Sequence, residues 1–92
     1  MSKLKIFDVA DYLDSAEMIA AYLDAIFQDG NEEEIRSALN DVARSKGITD
    51  LARTTGLSRE AIYKALGEDG NPTLSTLMAI LKALGLKIRL AA

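Results

Sequence analysis

The sequence feature that most restricts the fold is a glycine turn between two short helical segments, in TDLARTTGLSREAIYKAL at residues 49–66. Gly56 can take the positive φ that a tight turn between two helices requires. Ala52, four residues earlier, is small where the second helix would press on the first. Ser58 offers an oxygen that can accept a hydrogen bond from the free N–H groups of the second helix. The pattern predicts a helix-turn-helix, with an ordinary hairpin in an α-helical bundle as the alternative.

Capping residues mark the starts of three further helices. Ser15 and Thr73 are candidate N-caps, and Asn31 forms a capping-box pattern with Glu34, three residues later. Apolar residues then recur at helical spacing behind two of these caps, as Ile35, Ala38, Leu39, Val42 and Ala43 and as Leu74, Leu77, Met78, Leu81 and Leu84. Each of these helices therefore has an apolar face that can join a shared core.

Alternation of polar and apolar residues predicts a short strand at each end of the chain, over Lys3–Ile6 and Leu86–Leu90. A strand edge needs a cover, so we expect Leu86–Leu90 to pair with Lys3–Phe7, within one chain or across a dimer. The expected architecture is all-α, with five or six helices and short terminal strands, in one domain spanning residues 1–92. Its parts are an acidic segment at 1–30, a helix-turn-helix core at 31–85 and a C-terminal strand at 86–92.

The absence of cysteine and histidine excludes most catalytic and metal sites. The chain has no disulfide, no thiolate nucleophile and no histidine general base or zinc ligand. Asp8, Asp11 and Asp14 are the alternative, because carboxylate oxygens can hold Mg²⁺. They match no calcium-loop motif, however, and their spacing of three is typical of a solvated helix face. We therefore expect a protein that is not an enzyme and that has no cofactor or metal.

Hydropathy predicts neither a membrane span nor a signal peptide. The longest apolar run, Met18–Leu23, is far below the roughly 20 residues that a helix needs to cross a bilayer. The first thirteen residues carry charges every few positions and no continuous apolar stretch. We expect a cytoplasmic protein without membrane contact.

Charge is divided unevenly along the chain. Residues 1–34 hold two lysines and nine carboxylates, a net charge of −7, whereas residues 35–92 hold nine Lys/Arg and five carboxylates, a net charge of +4. Such asymmetry favours two surfaces with two kinds of partner. The alternative is that the acidic residues only solvate amphipathic helices.

These motifs are similar to those of a known family. Residues 31–90 resemble the Cro/C1-type (lambda-repressor-like) helix-turn-helix domain of phage repressors. More narrowly, LARTTGLSREAIYKAL, GNPTL and ALGLKI resemble antidote proteins of addiction modules, of the host-inhibition-of-growth type, as does the leading FDVADYLDSAEMIAAYLDAIFQDGN. The resemblance implies a dimeric antitoxin that neutralises a toxin, typically an mRNA-cleaving ribonuclease, and that represses its own operon by binding a double-stranded DNA operator. The alternatives are a phage-like repressor without a toxin and a protein-interaction module that does not bind DNA.

The second helix of the motif carries the residues that are candidates for reading bases. Arg59 suits guanine, because its planar fork matches O6 and N7. Glu60 either accepts from a cytosine amino group or is only a helix-favouring acid in the first turn. Tyr63 either contacts the DNA backbone or a thymine methyl group, or packs between helices. The resemblance places base readers at the same point, with Arg59 and Glu60 first.

The remaining candidate DNA contacts are to phosphates. Arg53 and Lys64 are cations on the two motif helices, with solvated charges as the alternative reading. The resemblance implies further phosphate contacts from Thr49, Ser58, Asn71 and Thr73. The sequence departs from the family pattern at two places. Many members have a glutamine at the start of the first motif helix, which braces the recognition helix or touches DNA, where this chain has Ile48, Thr49 and Asp50, and Thr55 stands where an apolar residue is usual.

Overall fold

The computed structural model describes Leu13 and residues 15–92, and these residues form five α-helices. The helices are α1 (Ala16–Asp29), α2 (Glu32–Lys46), α3 (Ile48–Thr55), α4 (Arg59–Leu66) and α5 (Leu74–Ala83). The helical architecture expected from the sequence is confirmed over this part of the chain. Within it, no helix is long and apolar enough to cross a membrane.

Side-chain caps begin the helices at the predicted residues. The Ser15 hydroxyl oxygen accepts a hydrogen bond from the Met18 N–H at 3.1 Å, at the start of α1. Asn31 and Glu34 form the complete capping box at the start of α2, with reciprocal bonds of 2.8 and 3.0 Å. Thr73 caps α5 through the Thr76 N–H. Each cap satisfies a backbone N–H that has no partner within the helix.

The core lies where α2, α3, α4 and α5 converge. α2 packs against α1, α3 and α4, while α3 also packs against α4 and α5. The largest fully buried side chains come one or two from each of these four helices, as Val42, Leu51, Ile62, Leu66 and Ile80. Burial of each such side chain stabilises the fold by about 1.5–3 kcal/mol. The two motif helices are therefore held by the core itself.

The predicted C-terminal strand, Leu86–Leu90, is not confirmed. Gly85 takes a left-handed φ of 78°, and the Leu86 N–H donates back to the Leu81 carbonyl, which ends α5 in a Schellman-like turn. Residues 86–92 then form no strand, because a strand needs a ladder of hydrogen bonds to a neighbouring backbone and none of the described residues supplies one. The predicted partner segment, residues 3–7, lies outside the described residues.

A polar contact joins α1 to α2 beside the core. The Tyr22 hydroxyl donates to Asp41 Oδ2 at 3.0 Å, and Arg44 pairs with the other carboxylate oxygen at 2.6 Å. Nearby on α2, the Ser45 hydroxyl donates to the carbonyl of the buried Leu13. The Tyr22 bond orients α1 on α2, and the Ser45 bond holds the residue Leu13 that precedes α1.

The contact between Tyr22 and Asp41 makes the free energy of unfolding decrease at alkaline pH. Burial, the hydrogen bond to Asp41 and the charge of Asp41 raise the pKa of Tyr22 from 10.0 to about 12, against an opposing effect of Arg44. A raised folded-state pKa contributes stability that is complete below pH 10.0 and is lost as pH rises toward about 12. The free-energy difference of unfolding between the parent and Tyr22→Phe should therefore shrink over that interval. Urea titrations at closely spaced pH values measure it, and a constant difference would contradict the assignment.

Candidate nucleic-acid interface

The turn between α3 and α4 is closed by local hydrogen bonds. Gly56 adopts the left-handed conformation, with φ 79° and ψ 3°, and its N–H donates to the Ala52 carbonyl at 3.0 Å. The Thr55 hydroxyl donates to the Leu51 carbonyl at 2.7 Å and accepts from the Leu57 N–H at 3.1 Å. Thr55 therefore fastens both sides of the turn, which explains a polar residue at a usually apolar position.

The predicted packing positions hold the two helices against the core. Leu51 of α3 and Ile62 of α4 are fully buried. Leu57 and Ala65 are partly buried and pack against the core. Ala52 is also partly buried against the core. The predicted contact between α3 and α4 across the Gly56 turn is present in the structure.

Ser58 begins α4 as predicted, because its hydroxyl oxygen accepts from the Ala61 N–H at 3.0 Å. This bond commits one lone pair of the hydroxyl to the helix, and the side chain is still exposed. The first turn of α4 then presents Arg59 and Glu60 to solvent. The cap therefore sets the direction in which these two side chains leave the domain.

The four predicted residues of α4, which are Arg59, Glu60, Tyr63 and Lys64, are all exposed. Pairs at positions i and i+4 lie on the same side of a helix, so Arg59 shares a side with Tyr63, and Glu60 with Lys64. Within the described chain none of the four makes an ion pair or a side-chain hydrogen bond. The Tyr63 side chain is 49% exposed, which disfavours the reading in which it packs between helices.

The predicted phosphate contacts lie on elements next to α4. Arg53 pairs with Asp50 at 3.0 Å, but the side chains are 72% and 55% exposed, and such surface pairs contribute little. Arg53 can therefore exchange this carboxylate for a phosphate. Thr49, Asn71 and Thr73 are also exposed. The Thr73 hydroxyl already makes two hydrogen bonds to α5: it accepts from the Thr76 N–H and donates to the Thr76 hydroxyl.

Two features of this region are not evident from the sequence pattern. Arg36 on α2 donates from Nε to the Gly67 carbonyl at 2.8 Å, across 31 positions of sequence. Gly70 lies so close to the carbonyls at the end of α4 that a Cβ would collide with the Ala65 and Lys64 oxygens. The GNPTL segment thus needs glycine at position 70, because the backbone there lies close to the end of α4. The sequence around Arg36 does not predict its hydrogen bond to Gly67.

Comparison with known proteins decides the family. Residues 3–92 match a family whose description reads "Probable addiction module antidote protein". The chain belongs to this family. It is also 49% identical over 87 residues to an uncharacterized protein of Haemophilus influenzae, covering 95% of this chain and 90% of that relative. No solved structure matches the chain. Membership of an antidote family implies a cognate toxin as partner.

This antidote protein also presents an acidic surface, which we define as the exposed carboxylates of α1 and of the first turn of α2. Residues 15–34 contain no lysine or arginine, and their acids are Glu17, Asp24, Asp29, Glu32, Glu33 and Glu34. All six side chains are exposed. The candidate DNA contacts lie instead on α3, α4 and the start of α5. The charge division read from the sequence therefore corresponds to different helices of the fold.

The two aromatic residues of α1, Phe27 and Tyr22, differ in their exposure to solvent. Phe27 is 48% exposed and lines a cavity of about 470 Å³ with Asp24 and residues 86–89. Tyr22 instead packs against the core and donates to Asp41. In the part of the chain that the structure describes, no group of three or more acidic residues is arranged to hold a metal ion. The three aspartates of the cation hypothesis all lie outside the described residues: Asp8, Asp11 and Asp14.

Proposed function

We propose that this protein is the antitoxin of a type II toxin–antitoxin module, with a Cro/C1-type helix-turn-helix of the host-inhibition-of-growth type. It binds its operator specifically, represses its own operon and neutralises a ribonuclease toxin. The observation that carries the DNA-binding part is the exposed polar side of α4, whose side chains have no partner among the described residues, on a helix anchored by the buried Ile62 and Leu66.

The dimensions of α4 suit the major groove of DNA. An α-helix with its side chains is about 10–12 Å across, and the major groove, about 12 Å wide, admits it. The eight residues of α4 then extend about 12 Å within the groove. Arg59 then reads a guanine, while Glu60 and Tyr63 lie beside it over the neighbouring base pairs. Lys64 and Arg53 neutralise phosphates. Ser58, Thr49 and Asn71 complete the phosphate contacts and fix the register of the helix. Thr73 joins them by turning its hydroxyl hydrogen from the Thr76 hydroxyl to a phosphate oxygen.

A homodimer follows from the small size of this reading surface. One helix-turn-helix reads few base pairs, so two copies bind half-sites about 34–36 Å apart on a palindromic operator. Apolar side chains exposed on and after α5 support such an association: Leu74, Met78, Ile88 and Leu90. Light scattering that shows a monomer at micromolar concentration, together with a non-palindromic footprint, would count against the dimer.

The acidic surface is the proposed toxin-binding surface. A ribonuclease must present a positive site to RNA, and an acidic helix laid on that site steers association and blocks substrate. Phosphate would repel the same surface, so it is a poor face for DNA. Phe27 is the proposed apolar anchor, because aromatic residues dominate buried contact energy. We also propose Tyr12, an aromatic residue of the acidic N-terminal segment, as an anchor; it lies outside the described residues.

Footprinting on the DNA upstream of its own reading frame tests the proposal. We expect protection of a palindrome, and we expect the product of the neighbouring reading frame to be a small basic protein that this chain binds and inhibits. Protection of the palindrome without such a neighbour would identify a phage-like repressor instead. Binding of the neighbour without any protection of DNA would identify a protein-interaction module.

A further inference from the structure

The C-terminal end of α4 is fastened differently from the ends of the other helices. In those four, the C-cap backbone N–H donates into the helix, at Gly30, Gly47, Gly56 and Leu84. Gly67, the C-cap of α4, makes no such bond. Instead, Arg36 of α2 donates from Nε to the Gly67 carbonyl at 2.8 Å, so a side chain of another helix holds the end of α4 through its carbonyl.

Three physical properties make this contact strong. The guanidinium of Arg36 is a charged donor, and it lies at the end of α4 where the carbonyls carry partial negative charge. A hydrogen bond with a charged donor is roughly twice as strong as one between neutral groups. Arg36 is also partly buried, so water competes less for the bond.

The same carbonyl links α4 to the loop that follows it. The Gly67 oxygen also accepts from the Gly70 N–H at 2.9 Å, and the chain then leads directly to Asn71 and Thr73. One oxygen thus joins α2, the end of α4 and the loop that carries two of the proposed phosphate contacts. Loss of the Arg36 bond would leave the Gly67 carbonyl, to which the loop is bonded through Gly70, without its link to α2.

We propose that Arg36 is a positioning residue for operator recognition, which sets the direction of α4 on α2 and, through Gly67, holds the loop of residues 67–73 without touching DNA itself. The inference rests on the proposed DNA-binding function and deepens it. Phosphate contacts from the loop and base contacts from Arg59 must be made together. A change in the angle of α4 therefore reduces binding to the operator more than binding to unrelated DNA.

The test compares Arg36→Met, which keeps the length of the side chain but has no donor, with Arg36→Lys, which restores charge and donor. Lys82→Met is the matched control, because it removes the same charge from an exposed position on α5. We expect Arg36→Met to lower operator affinity by about tenfold, the scale of a lost charged hydrogen bond. Affinity for an unrelated duplex should fall no more than in Lys82→Met, and Arg36→Lys should recover most of the loss.

A second measurement needs no DNA. Amide chemical shifts of residues 66–70 should move in Arg36→Met and stay near the parent in Arg36→Lys and Lys82→Met. If Arg36→Met does not fold by circular dichroism, Arg36→Gln replaces it and should show the same changes to a smaller degree. Parent-like shifts together with operator binding equal to that of Lys82→Met would overturn the inference. Moved shifts in a chain whose parent binds no operator would support the placement of α4 by Arg36 but refute the proposed function and, with it, a role in operator recognition.

Discussion

Arg59→Ala is expected to weaken binding to the operator by about 1–3 kcal/mol and to relax discrimination at one base pair. The reason is geometric. Arg59 is the first residue of α4, it is exposed, and it has no partner among the described residues. Its two parallel donors match the O6 and N7 acceptors of guanine, and alanine leaves both unpaired. Titrations with the operator and with single-base variants of it measure the effect.

Lys64→Ala is the matched control, since it removes one positive charge from the last turn of the same helix. A phosphate contact carries no sequence information, so this variant should weaken binding to all sequences alike. It should also lower the slope of log affinity against log salt by about one unit. Equal and sequence-independent losses for both variants would contradict a base-reading role for Arg59.

Asp24→Lys and Asp29→Lys are expected to slow association with the toxin by about tenfold at low salt, within the range attributed to electrostatic steering. Both side chains are exposed on α1, and neither forms an ion pair among the described residues. Reversal of charge replaces an attraction toward a basic site by a repulsion. Salt screens both, so the difference should decrease as ionic strength rises. Stopped-flow association at several salt concentrations measures it.

Glu68→Lys is the control for these reversals, because it makes the same change of charge outside the acidic surface. Glu68→Lys should slow association with the toxin less than either α1 variant does. Operator affinity should be unchanged or improved in Asp24→Lys and Asp29→Lys, because both changes remove negative charge from the chain. Phe27→Ala should instead raise the dissociation rate of the toxin. If all the α1 variants neutralise the toxin like the parent while DNA binding collapses, the assignment of surfaces is wrong.

Local chemistry in the sequence determined where the helices start and how the motif turns. The caps at Ser15, Asn31 and Ser58 were predictable because each joins a side chain to a backbone N–H only three positions away. The left-handed turn at Gly56 was predictable for the same reason, since only the backbone conformation of one residue decides it. The buried positions followed from helical periodicity, as Leu51 and Ile62 show.

Tertiary structure alone decided the contacts between residues that are distant in sequence. Tyr22 meets Asp41 across 19 positions, and Arg36 meets Gly67 across 31. No periodicity encodes such pairs, because they depend on how whole helices pack. Tyr63 illustrates the same limit, since the pattern allowed both packing and exposure until the placement of α4 left the ring half exposed. Residues 86–90 alternate like a strand, yet a strand exists only where a second backbone accepts and donates its hydrogen bonds.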